Sequence, residues 1–392
     1  MIFETPALGT EELRALERIE EIRRQLRFHV AEARRWTGSV RRVLGALAIQ
    51  GSNSIEGHNV TLDDVVAAVE GNEPTEAGEE DWNAIEGYRR AMTYVLQLGR
   101  DPHFRYSQET IRSLHFMMTE HSSDAGPGLW RPGPIWIRNE ASGDIVYEGP
   151  DADQLVSLID ELVSSLDADH STPAMVRGAM AHLNLVMIHP FRDGNGRMSR
   201  CLQTLVLARE QILVPEFCSI EEYLGQNTAS YYQLLRDVGG KEWHPEKDAL
   251  PWVRYCLQAH YVQTRSVLRR VRESEAMWGE LEGLVRIHRL PLRAMGALFD
   301  ATIGLRVRNS SYRAVLRGWD DEISNQVATT DLKAMVEAGL LLQKGRKRGT
   351  FYQAAPPLVE IWTRVRENRE PIDPESLFRE EARPGRDRDT SR

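Results

Sequence analysis

Cysteine is nearly absent: the 392 residues hold three, Cys201, Cys218 and Cys256, and no CxxC pair. That leaves no basis for a disulfide framework or a cysteine-built zinc site and makes a reducing cytoplasm the expected compartment. Long apolar runs are missing as well. Nowhere do about 18 uncharged apolar residues follow one another, and the N-terminus MIFETPALGTEELRALERI has no basic segment leading into an apolar one. Neither a membrane span nor a secretion signal is expected. A surplus of positive charge is lacking too: 49 Lys and Arg stand against 58 Asp and Glu, a net charge of −9, which argues against a nucleic-acid coat protein and leaves room for a local basic patch. No internal repeat is visible. What remains, 41% apolar and 27% charged residues, is the composition of a soluble globular protein long enough for two or three domains.

Apolar spacing predicts a mainly helical chain. Residues 10–50 read as helix, with Thr10 as cap, Glu11 and Glu12 in the first turn and Leu13, Leu16, Ile19 and Ile22 on one face. Further helices are expected at 82–98, 107–121, 151–166, from Ser171-Thr172-Pro173 to Ile188 with Met175, Ala179, Leu183 and Met187 on its face, from about Arg197 onward, at 219–238 and at 248–275. Between them, 127–150 carries two β-prone runs, IWIR and DIVYE, joined by NEASG, which fits a hairpin standing as a flap. From 276 to 356 the order is turn, capped helix, glycine stop and two strands around a basic turn, a winged-helix pattern. The tail from 357 is charged, and its stretch RENREPIDPESLFREEARPGRDRDTSR, from Arg366 on, is aromatic-poor and expected to be disordered, at least at its end.

One stretch concentrates chemistry: MIHPFRDGNGRMSR, 187–200. A helix ends near Ile188 and another begins near Arg197, so the backbone N–H groups of the turn between them form a helix-terminal anion site. Gly194 and Gly196 let that backbone approach a phosphate, and Asn195 offers a side-chain N–H to an oxyanion. Arg197 and Arg200 share a helix face as a phosphate clamp, and Asp193 is a hard oxygen ligand suited to Mg²⁺ held together with phosphates. His189 titrates near neutrality and can take the proton of an attacking hydroxyl. Base, metal ligand and anion cradle together point to phosphoryl or nucleotidyl transfer.

His189, Pro190, Phe191, Asp193, Gly194, Asn195, Gly196, Arg197 and Arg200 fit every fixed position of the HPFx(D/E)GNGRxxR signature, and the chain resembles Fic-domain proteins over about 107–258. The resemblance implies a fold that is mainly α: a helical Fic core (107–258) with a β-hairpin flap. Before it would lie an N-terminal helical region (1–106), and after it a linker helix with a small winged-helix domain (259–356) and the charged tail (357–392). It implies transfer of AMP from Mg-ATP to a Tyr, Thr or Ser hydroxyl of a protein, the chain itself included, with release of pyrophosphate. In this reading His189 is the general base, Asp193 the Mg²⁺ ligand, Gly194 to Gly196 the phosphate cradle, and Arg197 and Arg200 hold the outer phosphates. Tyr231 and Tyr232 resemble the family's nucleotide-pocket aromatics, and Val146 and Tyr147 its target-positioning flap.

Upstream, Ser52-Asn53-Ser54-Ile55-Glu56-Gly57 resembles the family's inhibitory motif, [S/T]xxxE[G/N]. A glutamate reaching Arg200 would form a charge-assisted, bidentate pair and consume the arginine that the γ-phosphate needs. Other readings stay open: use of another nucleotide, removal of AMP with Glu56 helping to activate water, or a nucleotide-sensing regulator bound to DNA. The unaltered Gly-Asn-Gly-Arg argues against kinase activity. In the C-terminal region the basic turn Lys344, Arg346, Lys347, Arg348 suits phosphates, but the helix near 329–338 offers only Lys333, so a protein contact is the expectation ahead of DNA. A second copy of the chain is a further possible partner.

Overall fold

The computed structural model describes residues 1–31, 34–74, 76–138, 143–169, 171–210, 217 and 219–379. The stretch expected as one helix over 10–50 is two, α1 (Thr10–Ala31) and α2 (Arg35–Ile55). Thr10, expected as the cap, is already helical; Glu12 reaches back and accepts from the Gly9 N–H at 2.7 Å instead. A short α3 (Leu62–Glu70), not anticipated, starts where the Thr61 hydroxyl accepts from the Asp64 N–H. Next come α4 (Glu79–Arg100) and α5 (Gln108–Thr119). The flap strands β1 (Trp136–Arg138) and β2 (Ile145–Glu148) pair antiparallel, Ile137 opposite Tyr147. Of the expected turn NEASG, residues 139–142 lie outside the described residues.

Next in order are α6 (Leu155–Ala168), α7 (Ala174–Ile188) and α8 (Asn195–Arg209). Pro173 precedes α7 rather than opening it, and the Asp169 carboxylate gathers the Ser171 and Thr172 N–H groups at 3.0 Å each. Along α7 every residue is buried except the partly exposed Arg177, so the face read from Met175, Ala179, Leu183 and Met187 belongs to a helix enclosed on all sides. The helix expected at 219–238 breaks at Asn227 into α9 (Glu221–Gln226) and α10 (Thr228–Gly239). Beyond it α11 (Leu250–Ile287) runs 38 residues, about 57 Å, without interruption. Its first half packs Trp252, Val253, Cys256 and Tyr261 against α7 and α10, and its second half packs Val267, Val271, Met277 and Leu281 into the C-terminal unit. The expected boundary at 258/259 therefore falls inside one helix. Nor is 1–106 a separate body. The Phe3 backbone exchanges hydrogen bonds with the buried Asn184 amide of α7, at 2.8 and 3.1 Å, and Arg254 of α11 pairs with Glu11 and Glu12 of α1.

The C-terminal unit holds α12 (Ala294–Thr302), α13 (Asn309–Arg317), α14 (Asn325–Glu337), β3 (Leu341–Lys344) and β4 (Phe351–Ala354). β3 and β4 pair antiparallel, and Val307, just before α13, bridges to Tyr352 as a third extended piece. Residues 357–366, placed in the charged tail, form most of α15 (Pro356–Arg366), and within the stretch expected to be disordered from Arg366 on, Pro374–Leu377 form a short 3-10 turn. Two prolines pre-set the first turn of α15 and Leu358 and Ile361 are buried against the unit, an apolar spacing that outweighs the surrounding charge. Leu377 is buried beyond it, while 380–392 lie outside the described residues. Among the described residues no helix is long and apolar enough to cross a membrane.

One crossing fixes where α2 ends. A Cβ on Gly51 would sit 2.5 Å from the Glu221 carbonyl oxygen, and one on Gly225 would sit 2.7 Å from the Gly51 Cα, so α2 and α9 meet backbone to backbone. Gly51→Ala should therefore force the two helices apart at a cost of about 1–3 kcal/mol. Urea unfolding followed by circular dichroism measures this, and an unchanged midpoint would contradict the close crossing.

Candidate active site

The site is built at the hinge between α7 and α8. His189 ends α7 in a left-handed conformation, φ 49° and ψ 58°, unusual for a residue with a Cβ, and so turns the chain sharply out of the helix. Its Nδ1 lies 2.9 Å from the Val186 carbonyl. A carbonyl only accepts, so Nδ1 carries the proton and Nε2 keeps its lone pair. Burial, offset in part by that carbonyl contact and joined by the nearby Arg131 guanidinium, holds the imidazole below its ordinary value.

The loop itself is pinned by residues that sequence spacing does not single out. His115 of α5 stacks flat on Phe191, ring centroids 3.7 Å apart. Its Nε2–H donates to the Asp193 carbonyl at 3.0 Å and its Nδ1 accepts from the Gly128 N–H at 2.9 Å. Arg131 donates from its backbone to the Pro190 carbonyl and from Nε to the His189 carbonyl, each at 2.9 Å. The same guanidinium reaches the carbonyls of Gly133 and Pro150 at the two ends of the flap. His115 and Arg131 reach the loop across 78 and 58 positions of sequence, and the only signal for either was an arginine beside the Pro132-Gly133 turn.

The Asn195 Oδ1 accepts from the Phe191 N–H and its Nδ2 donates to the Phe191 carbonyl, both at 2.9 Å, so the side chain clasps the loop with its oxygen and one of its two N–H groups. α8 begins at Asn195 rather than near Arg197, which leaves the backbone of Gly194 to Gly196 as its N-terminal cradle. Gly194 is left-handed, φ 77°, and a Cβ on Gly196 would sit 2.3 Å from Glu56 Oε1.

Arg200 is wholly buried. Its Nε donates to the Ser52 hydroxyl at 2.8 Å, and its Nη2 donates to the Ser52 carbonyl at 2.9 Å and to Glu56 Oε1 at 2.6 Å. The pair is thus not bidentate as expected: Ser52, from the same short motif, occupies two of the donor directions. Burial opposes the guanidinium charge, but the Glu56 carboxylate outweighs it and drives the pKa up. Arg197 is buried as well and donates from Nη2 to the exposed Asp193 carboxylate at 3.2 Å. Nη1 of Arg200 and both Nε and Nη1 of Arg197 are buried with no hydrogen-bond partner among the described residues. Unspent, buried guanidinium donors at a helix N-terminus are what a polyanionic ligand would satisfy.

Arg200 and Gly196 face a cavity of about 260 Å³. Glu56, Val146, Tyr147, His189, Gly196, Arg200, Tyr231 and Tyr232 line it, as expected; Asp193, Gly194, Asn195 and Arg197 do not. Ile137, Val186, Met187, Leu235, Arg236 and Gly240 line it without having been anticipated. Tyr231 is buried with its hydroxyl 2.9 Å from His182 Nε2, while Tyr232 donates to the Ile55 carbonyl at 3.2 Å and so ties the cavity wall to the end of α2. Tyr147 donates to the Met187 carbonyl at 2.7 Å, fastening the flap to α7. Among the described residues no cluster of three or more His, Cys, Asp or Glu is placed to hold a metal ion. The single carboxylate of Asp193, 63% exposed, fits Mg²⁺, which takes one or two carboxylates and completes its shell with phosphate oxygens and water.

Residues 105–207 match the family model described as the Fic/DOC family. The chain carries a Fic domain. The matched segment starts just before α5 and stops within α8, so it contains the flap and the whole loop, whereas α9 to α11, expected in the Fic core, lie beyond it. Curated relatives include the protein adenylyltransferase Fic of Drosophila virilis, 27% identical over 210 residues covering 52% of this chain and 39% of that protein. The Drosophila melanogaster protein of the same name is 27% identical over 210 residues, 52% of this chain and 38% of its own length. The chain thus spans about two fifths of the length of these relatives. A Fic family protein from Desulfovibrio desulfuricans G20 has a similar fold, with a TM-score of 0.57 at 20% identity over 90% of this chain and 98% of that one. Fic-1 from C. elegans gives 0.51 at 20% over 67% and 73%. With these solved structures, at 20% identity, the likeness is one of fold.

His115 supplies a test of how the Fic loop is held. Burial pushes its pKa down to about 4, so between about 4 and the ordinary 6.5 the unfolded chain binds a proton that the folded chain does not. Its stabilising share is complete above 6.5 and is lost as pH falls toward 4, by up to about 3 kcal/mol. Urea unfolding at stepped pH should show this loss, and His115→Gln should remove about one proton from the slope. An equal slope in both proteins would contradict a neutral, loop-holding His115.

Proposed function

We propose that the chain transfers AMP from Mg-ATP to a Tyr, Thr or Ser hydroxyl of a protein and that Glu56 restrains this activity by occupying Arg200. The observation that carries the reading is one cavity bounded together by the His189 imidazole, the Gly196 backbone and the buried Arg200. The name of the curated relatives, protein adenylyltransferase, supports the choice of reaction.

The chemistry follows from the donors present. Nε2 of neutral His189 takes the proton of the incoming hydroxyl, whose oxygen bonds to the α-phosphorus as the bond to the pyrophosphate oxygen breaks. The amides at the start of α8 receive negative charge on the phosphate oxygens, and Arg197 and Arg200 hold the leaving pyrophosphate. Asp193 would hold Mg²⁺, which neutralises phosphate charge when bound. Arg131 keeps the base, the loop and both ends of the flap in one frame, so a polypeptide laid along β1 and β2 would be positioned relative to Nε2. With Glu56 on Arg200 the third phosphate meets a carboxylate at the Nη2 donor it would need, and ATP would settle unproductively.

Removal of AMP is a second reading, favoured by one feature: the Glu56 carboxylate lines the same cavity as His189 and has one oxygen beyond its contact with Arg200. Incubation with radiolabelled ATP and Mg²⁺ separates the cases. Glu56→Gly should raise AMP incorporation into protein roughly ten- to a hundredfold, matching the loss of a charge-assisted contact of about 1.5–3 kcal/mol, and His189→Ala in that background should reduce it by about 10²–10⁴. No gain from Glu56→Gly removes the restraint; loss of AMP from a pre-modified protein, dependent on Glu56, selects the second reading.

A further inference from the structure

The chain contains only five lysines, Lys241, Lys247, Lys333, Lys344 and Lys347, beside 44 arginines. Three of the five fall within 333–347, on α14, at the end of β3 and in the turn between β3 and β4, and all three are exposed, as is Arg346. Around them arginines are spent inside the molecule: Arg42 on Glu70 and Asp300, Arg293 on Asp331, Arg306 on Asp63 and Glu76. Lys333, Lys344, Arg346 and Lys347, by contrast, have no carboxylate within ion-pair distance among the described residues.

We propose that this C-terminal unit binds duplex DNA, with the turn between β3 and β4 on backbone phosphates and α14 in the major groove. The unit has the parts in the required order: α13 and α14 joined by a turn, then a β hairpin whose sheet edge is extended by the Val307–Tyr352 bridge. At 13 residues α14 is about 20 Å long, and a helix of its width fits the groove. Its exposed side presents Gln326, Thr330 and Lys333, types that read base edges or phosphates. The nearby carboxylates do not cover this face. Asp331 is held by Arg293 and Tyr312; Glu337 stands at the last turn; Asp320, Asp321 and Glu322 precede the helix and confine contact to its middle and the hairpin. The proximity of Gly345 to Gly349, where a Cβ on the former would meet the latter's carbonyl at 2.1 Å, closes the turn tightly and projects the cations outward.

Fluorescence anisotropy of a labelled random-sequence duplex of about 20 base pairs with the full chain tests this. Three phosphate contacts give a slope near −2.7 in log affinity against log salt, so affinity should fall at least about 40-fold between 50 and 200 mM KCl. Lys344→Gln/Arg346→Gln/Lys347→Gln should weaken binding and leave less than about a fourfold dependence, and Lys347→Gln alone should lower the slope by about 0.9 if the triple variant disturbs the hairpin. Gln326→Ala/Thr330→Ala should keep the slope while erasing any preference among selected duplexes. No binding at 50 mM KCl, an unchanged slope in the hairpin variants, or hairpin-dependent binding of polyglutamate but not duplex would overturn the proposal, the last in favour of an acidic protein surface.

Discussion

A guanidinium sealed away from water needs negative charge beside it, and Arg200 sits at the centre of this molecule in that condition. Breaking a buried pair costs far more than forming it gains, because the partner left behind keeps its charge. Here the countercharge comes from Glu56, at the end of a helix more than a hundred residues upstream, with the Ser52 hydroxyl and carbonyl filling two further donor directions. The position of α2 is therefore set by the same atom group that would grip a phosphate. Whatever displaces Glu56 must bring its own negative charge, which is the property of the ligand that the rest of the site accommodates.

The framework around this pair is set largely before any ligand is present. α7 and α8 are enclosed on nearly all sides, and the turn between them is fixed by the Asn195 clasp and the His115 stack rather than by a ligand. Its amides are thus in place before a phosphate arrives, so binding pays little to order them. α2, by contrast, reaches the site from outside the α7–α8 pair. It is held by the glycine crossing with α9, by Tyr232 on the Ile55 carbonyl and by the buried Arg42 of the same helix, which pairs with Glu70 on α3 and Asp300 on α12. Through those last contacts the C-terminal unit touches the helix that ends at Glu56.

Much of this was legible in the sequence, for a physical reason. The loop at 189–200 draws its chemistry from neighbours in the chain, so spacing alone places base, cradle and arginines together, and the flap follows from two β-prone runs. Glu56 was legible only by likeness to a known motif. His115 and Arg131 were not, since a buried histidine on a helix and an arginine beside a turn have ordinary spacing and acquire meaning only through partners about 60 to 80 residues away. Asn195 reads from the free turn as an amide offered outward, whereas in the fold its oxygen and one of its N–H groups are taken by the Phe191 backbone, a contact that spacing does not reveal. The tail from 357 was read by its charge alone, whereas Leu358 and Ile361, two apolar residues one turn apart, seat α15.

The exchange at Arg200 is tested most directly by thermal unfolding of the native chain and Glu56→Gly, each with and without saturating ATP and Mg²⁺. Stranding the buried guanidinium should destabilise the nucleotide-free variant by about 1–3 kcal/mol, moderated by the Ser52 contacts. ATP should then restore that loss and stabilise the variant more than the native chain. Equal stability of the two proteins without nucleotide, or the same gain from ATP in both, would contradict the account.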